Sequence, residues 1–197
     1  MAGDKKIILI TGANTGLGFE IVRALCSSAE QYQILLGGRS VERAEEAVKK
    51  ALEEHPKTQS GIEAVQIDID DDKSMDSLFQ QVQSKYGRLD VLINNAGAQF
   101  DQQVAKGNMT MREAWTKSWT VNTVGTQLMT NTFAPLLLKA QDPRLLFIAS
   151  GTSSLTQSED LTSPINGVPP KGWPKEGIAR SVPAYRCAKT GMNMMMR

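Results

Sequence analysis

Tyr185 is followed four positions later by Lys189 in the stretch YRCAKTGMNMMMR, and such a pair can do acid-base chemistry if it lies on a helix. The i to i+4 spacing sets both side chains on one helical face, within reach of a shared ligand. Tyrosine alone is a poor proton donor at neutral pH, its unperturbed pKa being about 10, and a neighbouring ammonium favours the phenolate. A carbonyl that accepts hydride becomes an alkoxide and needs a proton at its oxygen, a task this pair could perform. The same spacing also fits an amphipathic helix pair with no chemistry at all. Other reactive groups are few. His55 is the sole histidine and sits in the polar stretch EEHPKTQ, which predicts a surface position. Cys26 and Cys187 are the only cysteines, read as reduced thiols, and the ligands are too few for a zinc site.

A second constellation could hold a ligand. The segment ILITGANTGLGFEIVRAL places Gly12, Gly16 and Gly18 between an apolar run and an amphipathic one. Glycines there permit a tight strand-to-helix turn and close approach of a phosphate, while the helix N-terminus offers unpaired N–H groups and the positive end of its dipole. The G-x3-G-x-G spacing differs from the common G-x-G-x-x-G fingerprint, so on spacing alone a ligand-free connection stays open. At the end of the next apolar run, LLGGRS sets Gly38 where an acidic residue would hold an adenosine 2′-hydroxyl and follows it with Arg39, a fork of donors suited to a 2′-phosphate. This favours NADP, with NAD possible; a solvated Arg39 is the alternative.

Stepwise alternation of short apolar runs with amphipathic stretches predicts the elements that would position these residues. Residues 6–10, 33–36, 62–67, 90–93 and 145–149 read as five buried strands of a parallel sheet, and the stretches between them as helices on both faces: an α/β, three-layer, doubly wound fold. Ile21, Val22 and Leu25 mark one helix, Val41, Ala44, Val48 and Leu52 a second, and Met75, Leu78, Phe79 and Val82 a third. A longer helical region is predicted over 111–138, with Trp115, Trp119, Val121, Val124, Gln127 and Leu128 near one side and Pro135 kinking or ending it. The two tryptophans are expected to pack rather than stack on a ligand, and the methionines of MNMMM to fill core or interface. Residues 151–183, rich in Ser, Gly and Pro without periodicity, read as a long loop.

With the glycine turn, NNAG at 94–97, Asn122 in VNTVG, Ser150 after the fifth run and YRCAK at 185–189, the chain resembles the short-chain dehydrogenase/reductase family. The likeness covers nearly the whole sequence from Lys6 onward, and the family's TGxxxGxG is matched by Thr11, Gly12, Gly16 and Gly18. The resemblance implies a Rossmann fold of strand order 3-2-1-4-5 in a single dinucleotide-binding domain over 1–197, with 151–183 as a substrate-side loop. It implies that Gly12, Asn14, Thr15, Gly16, Leu17, Gly18 and Arg39 hold the cofactor, that Asp68 and Ile69 lie at the adenine ring, and that Asn95, Ala96 and Gly97 lie beside the ribose. Asn94 looks like a brace between strands. Asn122, Ser150, Tyr185 and Lys189 match the catalytic four: Ser150 donating to the substrate oxygen, Lys189 reaching the nicotinamide ribose, Asn122 holding a water on the proton path. Ser153 and Ser154 compete with Ser150, and Asn122 could instead satisfy backbone groups at a helix bend.

The implied activity is hydride transfer between NADP(H) and a carbonyl or alcohol on a small organic or secondary-metabolite substrate. Epimerisation or dehydration on the same scaffold, and a regulator that binds NADP(H) without turnover, are the rival readings. Twenty-two basic against 21 acidic side chains leave a net charge of +1, from which no nucleic-acid or membrane-surface partner follows. The N-terminal apolar run, Ile7 to Ile10, is too short for a signal core or a spanning helix, and a cytoplasmic location is expected. Two departures from the family are expected to matter. The 35 positions from Ser150 to Tyr185 exceed the usual gap, so that INGVPPKGWPKEG could cap the pocket or cover helix faces used in dimers, leaving homodimer, tetramer or monomer undecided. The family's last strands are lacking after Arg197, which reads as C-terminal incompleteness.

Overall fold

The computed structural model describes residues 5–166, 171–173 and 181–196. Five parallel strands, β1 (Lys6–Ile10), β2 (Tyr32–Gly38), β3 (Gly61–Gln66), β4 (Val91–Asn94) and β5 (Arg144–Phe147), form one sheet in the order β3-β2-β1-β4-β5. This is the order that the family resemblance implies. In β1 the registers Ile8↔Ile34 and Ile8↔Val91 put apolar residues side by side across three strands. Because the pleat alternates faces, Ile8, Ile10, Ile34, Leu36, Val91 and Ile93 share one face. That face packs on α1 (Gly16–Cys26) and α2 (Val41–Glu54) through Phe19, Val22, Cys26 and three alanines. The alternate residues Leu9, Leu35 and Leu92 are fully buried on the other side. Buried Met75, Leu78, Phe133 and Leu136 of α3 (Asp72–Tyr86) and α6 (Thr126–Leu137) make the second helical layer, with Phe79 and Phe133 edge to face at 5.9 Å.

Local chemistry explains where the helices begin and end. Ser40 caps α2 by accepting from the Arg43 amide, and Asp71 caps α3 by accepting from Lys73. Helix α3 stops at Gly87, whose φ of 72° is the left-handed conformation that glycine adopts without penalty. Helix α5 (Met111–Trp119) opens with a complete capping box between Thr110 and Glu113. Helix α1 differs: Thr15 makes no side-chain cap, and the first turn holds no acidic residue.

The described residues gather into two compact units. The first runs up to Ala96 and includes Leu128–Ile148, hence the sheet with α1, α2, α3 and most of α6. The second comprises Gly97–Gln127 and the described residues from Ala149 onward. It contains α4 (Asp101–Ala105), α5, a π-helical segment (Thr120–Gly125), a 3-10 turn (Gly151–Ser153), α7 (Leu155–Ser158), a second such turn (Pro164–Asn166) and α8 (Pro183–Met195).

Several expectations need correction. The two edge strands are not buried: Leu145 and Leu146 of β5 are 39% and 46% exposed, and in β3 only Val65 is buried, each of these strands having a neighbour on one side alone in this sheet. Helix α2 packs through Ala44, Ala47 and Ala51 with Val48 partly buried against them, as expected for Ala44 and Val48, whereas Val41 and Leu52 are exposed at its margins. The run over 111–138 changes pitch at Thr120–Gly125, and Pro135 remains inside α6 near its end. The described residues 151–166 hold short helical turns rather than continuous loop, and most of INGVPPKGWPKEG lies outside the described residues. His55 is half-buried, its Nδ1 3.3 Å from Ser27 Oγ and its Nε2 buried without a partner. Asn94 braces strand to helix, donating to Thr130 of α6 at 3.1 Å. Among the described residues, no helix is long and apolar enough to cross a membrane, and no cluster of His, Cys, Asp or Glu could hold a metal.

Candidate functional site

The glycine turn of the first unit joins β1 to α1. Gly12 and Gly16 take φ of +62° and +57°, where a side chain would strain the backbone. Gly18 is needed for a different reason: a Cβ there would lie 2.5 Å from Asn95 Nδ2 and 2.6 Å from the Gly12 carbonyl oxygen. Asn95 itself secures the turn, its amide donating to the carbonyls of Thr11 at 2.8 Å and Gly12 at 3.1 Å. The Thr11 hydroxyl accepts from the amides of Asn95 and Ala96. Thr15, Gly16 and Leu17 stay exposed at the uncapped start of α1, and half-buried Asn14 approaches Gly38, where a Cβ would meet Asn14 Oδ1 at 3.3 Å.

Past the next strands, Arg39 is exposed at the tip of β2. Asp68 follows β3 with its backbone amide held by Ser74 and one carboxylate oxygen accepting from Asp70, and Ile69 beside it is buried. A phosphate-bearing dinucleotide fits these groups: a turn opened by three glycines, helix donors left uncapped and without a competing carboxylate, and an exposed guanidinium fork.

In the second unit, Asn122 is wholly buried in the π-helical segment. Its amide donates to the carbonyls of Ala98 at 2.7 Å and Ser118 at 2.9 Å, while its oxygen accepts from the Ala98 amide. Asn122 thus does satisfy backbone groups where the helix changes pitch, and by doing so it pins the turn at Gly97–Ala98. A Cβ on Gly97 would lie 2.8 Å from Asn122 Oδ1 and 3.3 Å from Lys189 Nζ, so glycine is the residue that fits between them. Lys189 is 3% exposed, and burial pushes its ammonium down to about 8.

Tyr185 lies one turn earlier on α8 and is half-buried. Tyr86, by contrast, has its phenol pushed up to about 12 by burial and by hydrogen bonding to Glu63, which disfavours proton transfer there. Ser150 caps the first 3-10 turn, with its hydroxyl 2.8 Å from Thr152 Oγ1. Its competitors are committed elsewhere. Ser153 is buried, donating to the Ser150 carbonyl and accepting from Asn193, and Ser154 caps α7. Trp119 packs across Gly191 of α8, where a Cβ would be 2.6 Å from the ring. Met192 is buried, whereas Met194 and Met196 are exposed.

The structure thus brings Gly97, Asn122 and Lys189 into one cluster, sets Tyr185 on the same helix as Lys189, and ties the Ser150 turn to α8. That last link runs from Arg186 Nε to the Thr152 carbonyl at 2.9 Å and from Thr190 to the Ser153 carbonyl at 3.0 Å. Two participants have no sequence signal. Thr123 donates to the Ala188 carbonyl at 2.8 Å, anchoring α8 on the π-helical segment. Asp101, 4% exposed, accepts from the amides of Ala184 at 2.8 Å and Tyr185 at 3.1 Å, opposite the start of α8.

A parallel sheet ordered 3-2-1-4-5, with a glycine turn between its first strand and first helix, defines a doubly wound dinucleotide-binding fold. The short chain dehydrogenase family model matches residues 6–160. The short-chain dehydrogenase/reductase eupG of a Phoma species is 49% identical over 197 residues, a match covering 98% of this chain and 70% of that relative. The corresponding tropE of Talaromyces stipitatus is 44% identical over 193 residues, covering 98% and 71%. The chain belongs to the short-chain dehydrogenase/reductase family, a family of oxidoreductases. Two solved structures share the fold. An NADPH-bound carbonyl reductase from chicken fatty liver has a TM-score of 0.73 at 24% identity, covering 97% of this chain and 71% of its own. A metagenomic short-chain oxidoreductase in complex with NADP has a TM-score of 0.70 at 23% identity, covering 97% and 72%.

Proposed function

We propose that this chain is an NADP(H)-dependent reductase or dehydrogenase that interconverts a carbonyl and an alcohol on a small molecule, with Tyr185 as the general acid and base. The observation that carries the reading is the buried Lys189 one helical turn beyond Tyr185, its ammonium lowered to about 8 and seated against the Gly97 turn. A positive charge held there favours the phenolate and so makes the phenol a better proton donor than an isolated tyrosine. Ser150 donates to the substrate oxygen, and Asn122 keeps the Gly97–Ala98 turn against the lysine. The binding groups are Gly12, Asn14, Thr15, Gly16, Leu17 and Gly18 for the pyrophosphate, Arg39 for the 2′-phosphate, Asp68 and Ile69 for adenine, and Asn95, Ala96 and Gly97 beside the ribose. The cofactor, when bound, supplies or accepts the hydride. Residues 1–197 act on this reading as one dinucleotide-binding domain, with 151–183 on the substrate side.

NADPH oxidation measured against a panel of ketones, aldehydes and quinones tests the activity, and Tyr185→Phe tests the mechanism. The variant removes one oxygen atom. Turnover should fall by roughly 10² to 10⁴, the usual contribution of a positioned acid, while NADPH affinity stays nearly unchanged. Retained turnover refutes the role of Tyr185. Tight NADPH binding with no turnover of any panel compound by the unaltered protein would favour a regulator instead.

A further inference from the structure

Helix α8 begins under unusual constraints. Its N-cap, Val182, is a β-branched residue at φ +42°, the one described non-glycine residue with positive φ, and it offers no side-chain cap. Pro183 opens the helix and has no N–H to satisfy, so the first amides that need partners are those of Ala184 and Tyr185. Both are taken by one carboxylate 83 and 84 positions away: Asp101 Oδ1 accepts from Ala184 at 2.8 Å and Oδ2 from Tyr185 at 3.1 Å. Asp101 is 4% exposed, so these are charge-assisted bonds shielded from water, at the helix end whose dipole favours a negative group.

The residue is held from its other side as well. It is the first residue of α4 and follows closely on Ala98, whose amide and carbonyl are both bonded to the Asn122 side chain. Segment 97–101 is therefore fixed at one end to the π-helical segment that Asn122 occupies and at the other to the turn of α8 that carries Tyr185. We propose that Asp101 is a positioning residue for Tyr185, a remote cap that sets the rotation and height of the first turn of α8 relative to Lys189 and the Gly97 turn. The inference rests on the reading of Tyr185 as the proton donor.

The test compares Asp101→Ala and Asp101→Asn in the intact enzyme. Asp101→Ala should raise amide hydrogen exchange at residues 184–186 at least tenfold while leaving α2 unchanged. It should lower kcat on the order of 10²-fold, as expected for a proton donor displaced by about 1 Å, with KM for NADPH within about twofold. Asp101→Asn keeps one acceptor oxygen and should fall in between. In a Tyr185→Phe background Asp101→Ala should have no further effect on the residual rate. A role in stability alone would lower the melting temperature and leave kcat per folded molecule intact, which overturns the inference. So does unchanged exchange at 184–186, or faster exchange there with kcat intact. If Tyr185→Phe itself keeps full turnover, the reading of Tyr185 fails first and is recognised as such, and the positioning role falls with it.

Discussion

Lys189→Met exchanges a buried charge for an apolar side chain of similar length, and its consequences can be worked through with sign. The ammonium titrates at its ordinary 10.5 in an unfolded chain and at about 8 where it is buried. Each pH unit of difference corresponds to 1.36 kcal/mol, so the folded state carries a penalty of roughly 3 kcal/mol at neutral pH. Below pH 8 both states are protonated and the full penalty stands. Between pH 8 and 10.5 the folded protein sheds the proton while the unfolded chain retains it, so the penalty shrinks. Above 10.5 it is gone. The parent protein therefore gains stability as pH rises through this window, and measured against Lys189→Met it should gain roughly 3 kcal/mol between pH 7 and 10.5, the bond from the amine to Met192 adding a pH-independent offset.

Lys189 Nζ donates to Met192 Sδ at 3.7 Å, a bond that the variant gives up at pH values where the amine is present in either form. Urea unfolding of both proteins at pH 7, 8.5 and 10 measures the gap. A gap that does not change between pH 7 and 10 would refute the attribution to buried charge. The activity should move the opposite way. With the free group titrating near 8, roughly nine-tenths is ammonium at pH 7 and roughly one-tenth at pH 9, so kcat/KM for carbonyl reduction should decline across that interval. Lys189→Met should be nearly inactive at every pH, and a profile flat from pH 7 to 9 would remove the ammonium from the mechanism.

Arg39→Asp should shift the NADP to NAD preference by roughly tenfold or more towards NAD, since a carboxylate repels a 2′-phosphate and accepts from a 2′-hydroxyl; an unaltered ratio of kcat/KM values would exclude Arg39 from cofactor choice. Gly18→Ala sets a methyl carbon 2.6 Å from the Gly12 carbonyl oxygen, which must move with the turn. Overpacking of this kind costs about 1 to 3 kcal/mol, so NADPH binding by fluorescence should weaken by roughly 10 to 100-fold, and a dissociation constant within threefold of the parent would mean that the turn is no cradle.

Strands β1, β2 and β4 could be read in the sequence because strands buried on both faces must be continuously apolar, and Ile7–Ile10 and Val91–Ile93 meet that condition, whereas β3 was placed but has only Val65 buried. The same rule misled at Leu145 and Leu146, because apolar composition does not say which neighbours a strand has. In α2 the expected stripe held at Ala44 and Val48 but missed Ala47 and Ala51 and wrongly took in Val41 and Leu52, since helix-to-sheet distance is a tertiary property. Residues 120–125 carry no local mark of a change in helical pitch. Among the serines, the place directly after the fifth strand favoured Ser150; that Ser153 is buried and accepts from Asn193, 40 positions on, carried no sequence signal. Asp101 was invisible for the same reason: its partners are 83 and 84 positions away, and nothing in AQFDQQ announces them.

The bonds that join Thr152 and Ser153 to Arg186, Thr190 and Asn193 close the long excursion of the chain at its base. What lies beyond that base is in effect an exchangeable cassette. Lengthening a closed loop is inexpensive, each doubling adding only about 0.6 kcal/mol of closure entropy, so a lineage could swap residues 155–181 for shorter, longer or differently shaped inserts while Ser150 and α8 kept their mutual registration. If this segment lies on the substrate side, as proposed, new substrate ranges would then arise by grafting rather than by rebuilding the residues proposed to serve hydride transfer.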